Sequence, residues 1–415
     1  MSQSLISYVN HYFQDMRSAL AELPRWERGF HIFWLLGPFI LLIERSPADA
    51  WLTILAITFA VRAVIKRDGA WLKVFWVKAA FMFWFVCLFS AGISATPSYA
   101  LSEAFIWFRF PLFAMATVFW LGTDKRLLYA MLISTAIGMF VMTGILTAEM
   151  LIEGQKGGRL TWPYDDLVPG NYLSKVGLPA FTVMVALAIG ANARLASAMG
   201  LLSLITITMS VLTGERINFL IRACGGMLAG LVWKPVWNRY LILIMVEILA
   251  IMAVFIAVPN METRFVDAVI HDIPTGPHSD YYRVMGGGLM AFLEAPFFGI
   301  GTANYRDLCA GIMVGLNDFR CDNHPHNFYI QFLAETGLVG LITGIIMIGS
   351  IIWATFKAGL HNRKNVVAAT AFVIPLGLFF PIASTADFFG QWNNIFMWSA
   401  LALSLGATNL RSEKD

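Results

Sequence analysis

Apolar runs recur along the whole chain, separated by short polar connections. They lie near residues 29–43, 51–65, 74–93, 105–122, 127–147, 176–192, 197–213, 217–233, 240–258, 328–356, 365–384 and 392–408. Each is long enough, or nearly so, for a membrane-crossing helix, which predicts an all-α polytopic protein with about twelve spans. Two polar stretches interrupt the pattern. Residues 148–175 are rich in Gly and Pro and predict a loop. Residues 259–327 form a domain-sized excursion. Three regions follow: 1–258 with about nine spans, 259–327 as a loop domain, and 328–415 with about three spans.

Within the loop domain, Ser279 is placed to cap a helix that ends near Pro296, and Thr302 to cap a second. Their amphipathic patterns predict helices lying along the membrane surface. A helix over 326–356 would measure ~46 Å against a hydrocarbon core of ~30 Å. It must project, tilt, or break near Gly337, Gly340 or Gly344.

Composition sharpens this picture. The 415 residues are 58% hydrophobic and 13% charged, with mean hydropathy +0.68. A soluble domain carries about twice that charge. A net charge of +3 is too small to suggest nucleic acid. The first 28 residues are partly amphipathic, without a short apolar core and cleavage site, so the first span is expected to be retained. Lys and Arg concentrate in alternate connections: Arg62 to Lys73, Lys125 and Arg126, Arg194, Lys234 and Arg239, Lys357 to Lys364, then Arg411 and Lys414. The connections at 94–104 and 385–391 have neither. The basic set and both termini are therefore expected in the cytoplasm.

Some cations break that rule. Arg109, Arg159, Lys175, Arg216, Arg264 and Arg283 are expected near the outer face, and Arg109, Arg159, Lys175 and Arg264 are candidate substrate-binding residues there. The ordinary reading is snorkelling to headgroups or pairing with a carboxylate, and it suits Arg159 and Arg264 taken singly. Arg216 and Arg283 favour function, because a guanidinium fork matches phosphate oxygens. Arg222 lies inside a span, where a buried ion pair is one reading, and it is given no role.

The last seven residues before and into the long apolar run are Asn323-His324-Pro325-His326-Asn327-Phe328-Tyr329. Three readings stand for the histidines. One is a metal site from His324 and His326 with Asp322 or His278, though no established ligand spacing is present. One is a structural histidine with satisfied hydrogen bonds. The third is a general base. Pro325 suits a first helical turn, which would put His326 at a helix amino end that keeps the imidazole neutral. Asn327 would then hold substrate or orient the ring, and His324 would support it. There is no P-loop and no dinucleotide fingerprint.

Three segments carry a resemblance: the Thr213-Gly214-Glu215-Arg216 stretch, residues 281–305 with Arg283, and residues 324–340 with His326 and Asn327. Together they resemble the bacterial O-antigen ligases, within a group that includes O-antigen polymerases and protein O-oligosaccharyltransferases. The resemblance is strongest over 211–340. It implies a GT-C-like inner-membrane glycosyltransferase that takes a glycan from undecaprenyl diphosphate to the lipid A-core at the periplasmic face. It implies inversion without a metal or other cofactor, with His326 as base and Arg216 and Arg283 on the diphosphate. Polymerase and ligase share this donor chemistry, so the motifs leave the acceptor open. A lipid-linked glycan transporter would use the arginines without needing a base.

Four cysteines are present. Cys87 and Cys224 fall in apolar runs and read as small core residues. Cys309 and Cys321 both lie in the loop domain, where an oxidising compartment would favour a disulfide over two free thiols.

Overall fold

The computed structural model describes residues 5–165, 168–259, 261–267, 279–316 and 318–410. It is all-helical, with no strand among the described residues. Seven helices are long and apolar enough to cross a membrane: Arg45–Ile65, Phe75–Gly92, Pro97–Leu121, Lys125–Ile152, Ala193–Leu212, Trp237–Ala257 and Phe328–His361. Pro169–Val176 and Leu178–Gly190 meet at 58° and together are long and apolar enough to count as one bent span.

The other apolar runs also form helices, but shorter or interrupted ones. Residues 29–43 split into Arg25–Leu35 and Gly37–Ile40. Arg216–Val232 and Gln391–Gly406 are compact helices, and Val366–Leu378 falls below spanning length. Their burial differs: Arg216–Val232 keeps Leu220 and Met227 exposed. Gln391–Gly406 is buried along nearly its whole length. Trp237–Ala257 shows the opposite pattern. Its apolar side chains point outward, with Ile256 85% exposed. An apolar surface of this extent suits a lipid environment.

The 148–175 segment departs from the expected loop. The preceding helix continues to Ile152, and helical structure resumes at Val168. Lys175 therefore lies buried on a helical turn, not on a surface loop. Burial against the bundle supplied what local composition lacked. Cys224 likewise departs from expectation. It is exposed on the outer side of Arg216–Val232, whereas Cys87 is buried.

The long helix Phe328–His361 is broken at Gly337, whose φ is 67° and ψ −166°. The break strips neighbouring backbone groups of intrahelical partners, which must be satisfied elsewhere. A returning segment of the loop domain supplies the missing partners. Leu338 N donates to Pro296 O at 2.8 Å and Val339 N to Phe297 O at 3.2 Å. In return, Ile300 N reaches Ala334 O at 2.9 Å and Gly301 N reaches Glu335 O at 3.1 Å. The buried Glu335 carboxylate accepts Ala303 N and Tyr305 N, both at 3.1 Å. The loop domain is thereby fastened into the bundle.

A side chain at Gly337 has no room in this joint. Its Cβ would lie 2.3 Å from the Phe297 carbonyl carbon. The backbone conformation is also one that only glycine adopts readily, at about 1–3 kcal/mol for other residues. Gly337→Ala should lower the thermal unfolding midpoint of the purified protein by several degrees or prevent its recovery. An unchanged midpoint would show that the joint yields easily.

Candidate active site

The loop-domain helix Asp280–Glu294 starts as expected. Ser279 caps it, its hydroxyl accepting from Tyr282 N. The second helix starts later than expected, at Tyr305, with Asn304 before it. Thr302 is no cap, because its hydroxyl instead donates to Cys87 O at 3.0 Å. Gly286, Gly287 and Gly288 make one face of the first helix bare. A Cβ on them would strike Phe319, the Arg320 carbonyl and Pro325 respectively. The glycine run lets the chain leading to the histidines lie directly on this helix. Arg320 N closes the contact, donating to Arg283 O at 3.1 Å.

Cys309 and Cys321 are disulfide-bonded. The bond ties Tyr305–Ile312 to the residue just before Asp322. Closing a loop of this size is worth about 3 kcal/mol in an unstrained case. Replacing both cysteines with serine should lower thermal stability and weaken activity without abolishing it. Wild-type values for both would show that the bond braces nothing the reaction needs.

The helix that follows the motif begins at Phe328, with Asn327 as its cap. This corrects the expectation that Pro325 opens the helix and that His326 lies in its first turn. Asparagine is a far better cap than proline is an opener here. Asn327 Oδ1 accepts Tyr329 N at 3.0 Å and Ile330 N at 3.3 Å. Its Nδ2 donates to Pro381 O at 2.8 Å and Ala383 O at 3.4 Å. Both ends of the amide are used, and the residue is 6% exposed. Asn327 is built into the frame of the site, its amide hydrogen-bonded within the protein.

His326 is left just outside the helix, with φ 57°. Its carbonyl accepts Thr385 N at 2.8 Å. Its side chain is 29% exposed, and Nε2 lies 3.4 Å from Asp322 Oδ2. The His324 ring is 4.3 Å away, and the Tyr281 ring 6.0 Å. His324 Nε2 faces Thr385 O at 3.0 Å. A carbonyl only accepts, so that nitrogen carries the proton. Burial, then the neighbouring His326, pushes His324 down to about 4. It is neutral and supports the 385 segment.

No group of three or more His, Cys, Asp or Glu suited to a metal occurs among the described residues. His271 and His278 lie outside the described residues.

The cations expected at the outer face fall into separate places. Arg264 Nε donates to Gly214 O at 2.6 Å and packs on Gly158, beside Arg159 and just before Arg216. Arg159 Nε is buried without a hydrogen-bond partner among the described residues. Arg283 stands with the histidine segment, through its backbone bond to Arg320. Arg109 belongs to neither place. Its guanidinium is held by Asp49 at 2.8 Å, in a cavity also lined by Glu103, Thr53 and Gln391. Arg222 is fully buried, and donates to Leu173 O at 3.0 Å and Thr206 Oγ1 at 2.8 Å.

A series of hydrogen bonds, joined through the backbone at Ser174–Lys175 and through Asp387 itself, runs from Glu215, next to Arg216, to Asn327, next to His326. Glu215 accepts from Asn218, and Asn218 Oδ1 accepts from Ser174 at 2.7 Å. The adjacent Lys175 donates to Asn171 at 2.8 Å and to Asn393. Asn393 Nδ2 donates to Asp387 O at 3.2 Å. The Asp387 carboxylate accepts Gln331 Nε2 at 2.6 Å and pairs with Arg306 at 2.5 Å. Gln331 N then returns to Asn327 O at 2.9 Å. Asp387, Asn393, Gln331, Glu335 and Arg306 were not singled out from sequence. One signal was there to read: Gln331 and Glu335 follow Asn327 at intervals of four, a polar stripe on an apolar helix.

Residues 201–345 match a family model described as O-antigen ligase. Over these residues the chain is similar to the O-antigen ligase family. The matched segment contains Arg216, Arg283, His324, His326, Asn327 and both disulfide cysteines. The supporting Asp387 and Asn393, with Arg109, Arg159 and Lys175, lie outside the matched segment. Among solved structures, one described as "Structural coordination of polymerization and crosslinking by a peptidoglycan synthase complex" aligns over 81% of this chain and 98% of its own, with TM-score 0.50 and 14% identity. At that identity the likeness shows a shared all-helical fold alone. The search of curated proteins finds no match. The family match supports a glycosyltransferase of the O-antigen ligase or polymerase type.

Proposed function

We propose that this protein transfers a glycan from undecaprenyl diphosphate to the lipid A-core, at the periplasmic face of the inner membrane. The observation that carries the reading is the polar chain from Glu215 to Asn327. It ties the segment bearing Arg216 to the segment bearing His326, at one end of the bundle. Arg216–Val232, Gln391–Gly406 and Phe328–His361 all begin there. Helix amino ends and arginines both favour an anion such as a diphosphate.

His326 is the base in this reading. It removes the proton from an acceptor hydroxyl as that oxygen attacks the anomeric carbon. The bond from that carbon to the diphosphate breaks, and its electron pair leaves with the diphosphate. Arg216 and Arg283 stabilise the charge that develops there. Attack opposite the leaving group inverts the anomeric centre. Arg159, Arg264 and Lys175 contribute positive potential along the donor path. Both termini face the cytoplasm in this arrangement.

Purified protein with a defined undecaprenyl-diphosphate-linked glycan and lipid A-core tests the reading. The expected product is glycan-bearing lipid A-core, seen by gel shift and mass spectrometry. Elongation of the carrier-linked glycan, with no modified lipid A-core, would assign a polymerase instead. Excess chelator should leave the rate unchanged. Loss of activity restored by one divalent metal would overturn the metal-independent mechanism.

A further inference from the structure

His326 is held at two points. Its backbone occupies the left-handed region and is fixed by Thr385 N. Its ring meets one carboxylate among the described residues, that of Asp322, at 3.4 Å. Catalytic hydrogen bonds are often this long before substrate arrives.

The Asp322 carboxylate is itself anchored. Arg320 Nη2 donates to its Oδ2 at 3.1 Å, while Arg320 Nη1 reaches Asp280 at 3.1 Å. The preceding residue, Cys321, is tied to Cys309. Three elements thus fix one carboxylate beside one imidazole. Burial alone would raise the Asp322 carboxyl. Hydrogen bonds from Arg320 and His326 outweigh it and hold the group below its ordinary range. Asp322 is therefore an anion and only accepts, so the nitrogen facing it must carry the proton.

We propose that Asp322 is the positioning residue for His326, keeping the proton on Nε2 and presenting Nδ1 to the acceptor hydroxyl. This rests on the reading of His326 as the base. When Nδ1 takes the hydroxyl proton, His326 becomes an imidazolium beside a carboxylate, and the pair lowers the energy of that charge. The other groups around the ring do not serve. His324 is neutral and gives its Nε2 proton to Thr385, Tyr281 meets the ring edge-on, Arg320 bonds the Asp322 carboxylate, and Asp387 is committed to Arg306 and Gln331.

The test is the pH dependence of kcat/KM for the wild type, Asp322→Asn, Asp322→Glu and His326→Ala, with the same donor and acceptor. Asp322→Asn should lower kcat by roughly tenfold to a hundredfold, with donor KM little changed. Its acid limb should move to lower pH by about one unit, because the imidazolium has lost its anion. Asp322→Glu should restore part of kcat and return the limb to the wild-type position. If Asp322→Asn does not fold, Asp322→Glu carries the test alone: kcat falls while the limb stays in place. A wild-type rate in Asp322→Asn, or a lower rate with an unmoved limb, would overturn the proposal. For Asp322→Glu alone, an unchanged kcat or a displaced limb would do so. Near-normal transfer by His326→Ala would instead overturn the base reading beneath it.

Discussion

Replacing His326 with alanine is expected to lower glycan transfer by at least about a hundredfold, the usual scale for losing a general base. The expectation comes from the surroundings of the ring. It is partly exposed, while the neighbouring His324 is buried and bound to Thr385. The substitution leaves the frame intact. The bond from Thr385 N goes to the His326 backbone carbonyl, Asn327 still caps the helix, and Arg320 still holds Asp322. Alanine tolerates the positive φ at a cost of about 1–2 kcal/mol. His326→Gly is therefore a useful companion, relieving that strain while also removing the base. Both variants should be recovered in wild-type amounts with the disulfide formed. The measurement is the initial rate of transfer to lipid A-core. Near-normal rates in the two folded variants would remove His326 from the mechanism.

The second large effect is expected at Arg216 and Arg283. Alanine at either position should lower kcat by about 10²–10³, the scale for losing one donor to a developing anion. Lysine should recover only part of this, because it restores the charge but not the planar fork. Donor KM should change less than kcat, since the diphosphate charge grows as the anomeric bond breaks. The double variant decides whether the two act together. If both guanidinium groups hold one diphosphate, the combined loss should fall well short of the product of the single losses. Multiplicative losses would place the two arginines on separate groups. Arg109→Ala offers a contrast. Its guanidinium already pairs with Asp49, so the expected effect on the rate is small.

The apolar runs and their basic connections were legible in the sequence, because membrane insertion depends on local hydropathy and charge. Ser279 was legible as a cap and Gly337 as a point of breakage, because both depend on nearby backbone geometry. The TGER and HPHN segments were legible as chemistry, because charged and titratable groups at the edge of an apolar run stand out.

The tertiary structure decided the rest. Lys175 was read on a loop but lies buried on a helical turn, since packing overrides a polar composition. Asn327 became a cap and His326 stayed outside the helix, because the segment 381–385 supplies carbonyls and an N–H from over fifty residues away. The Gly286–Gly288 face matters only where Phe319, Arg320 and Pro325 come to rest on it. Asp387 and Asn393 join the site only because three helices begin together. In a membrane bundle, lipid-facing and protein-facing positions are both apolar. The sequence by itself therefore determined which segments are helices and where polar chemistry is concentrated. Which helices meet, and which polar groups satisfy one another, was decided only by long-range packing and hydrogen bonding, which leave no periodic trace in the chain.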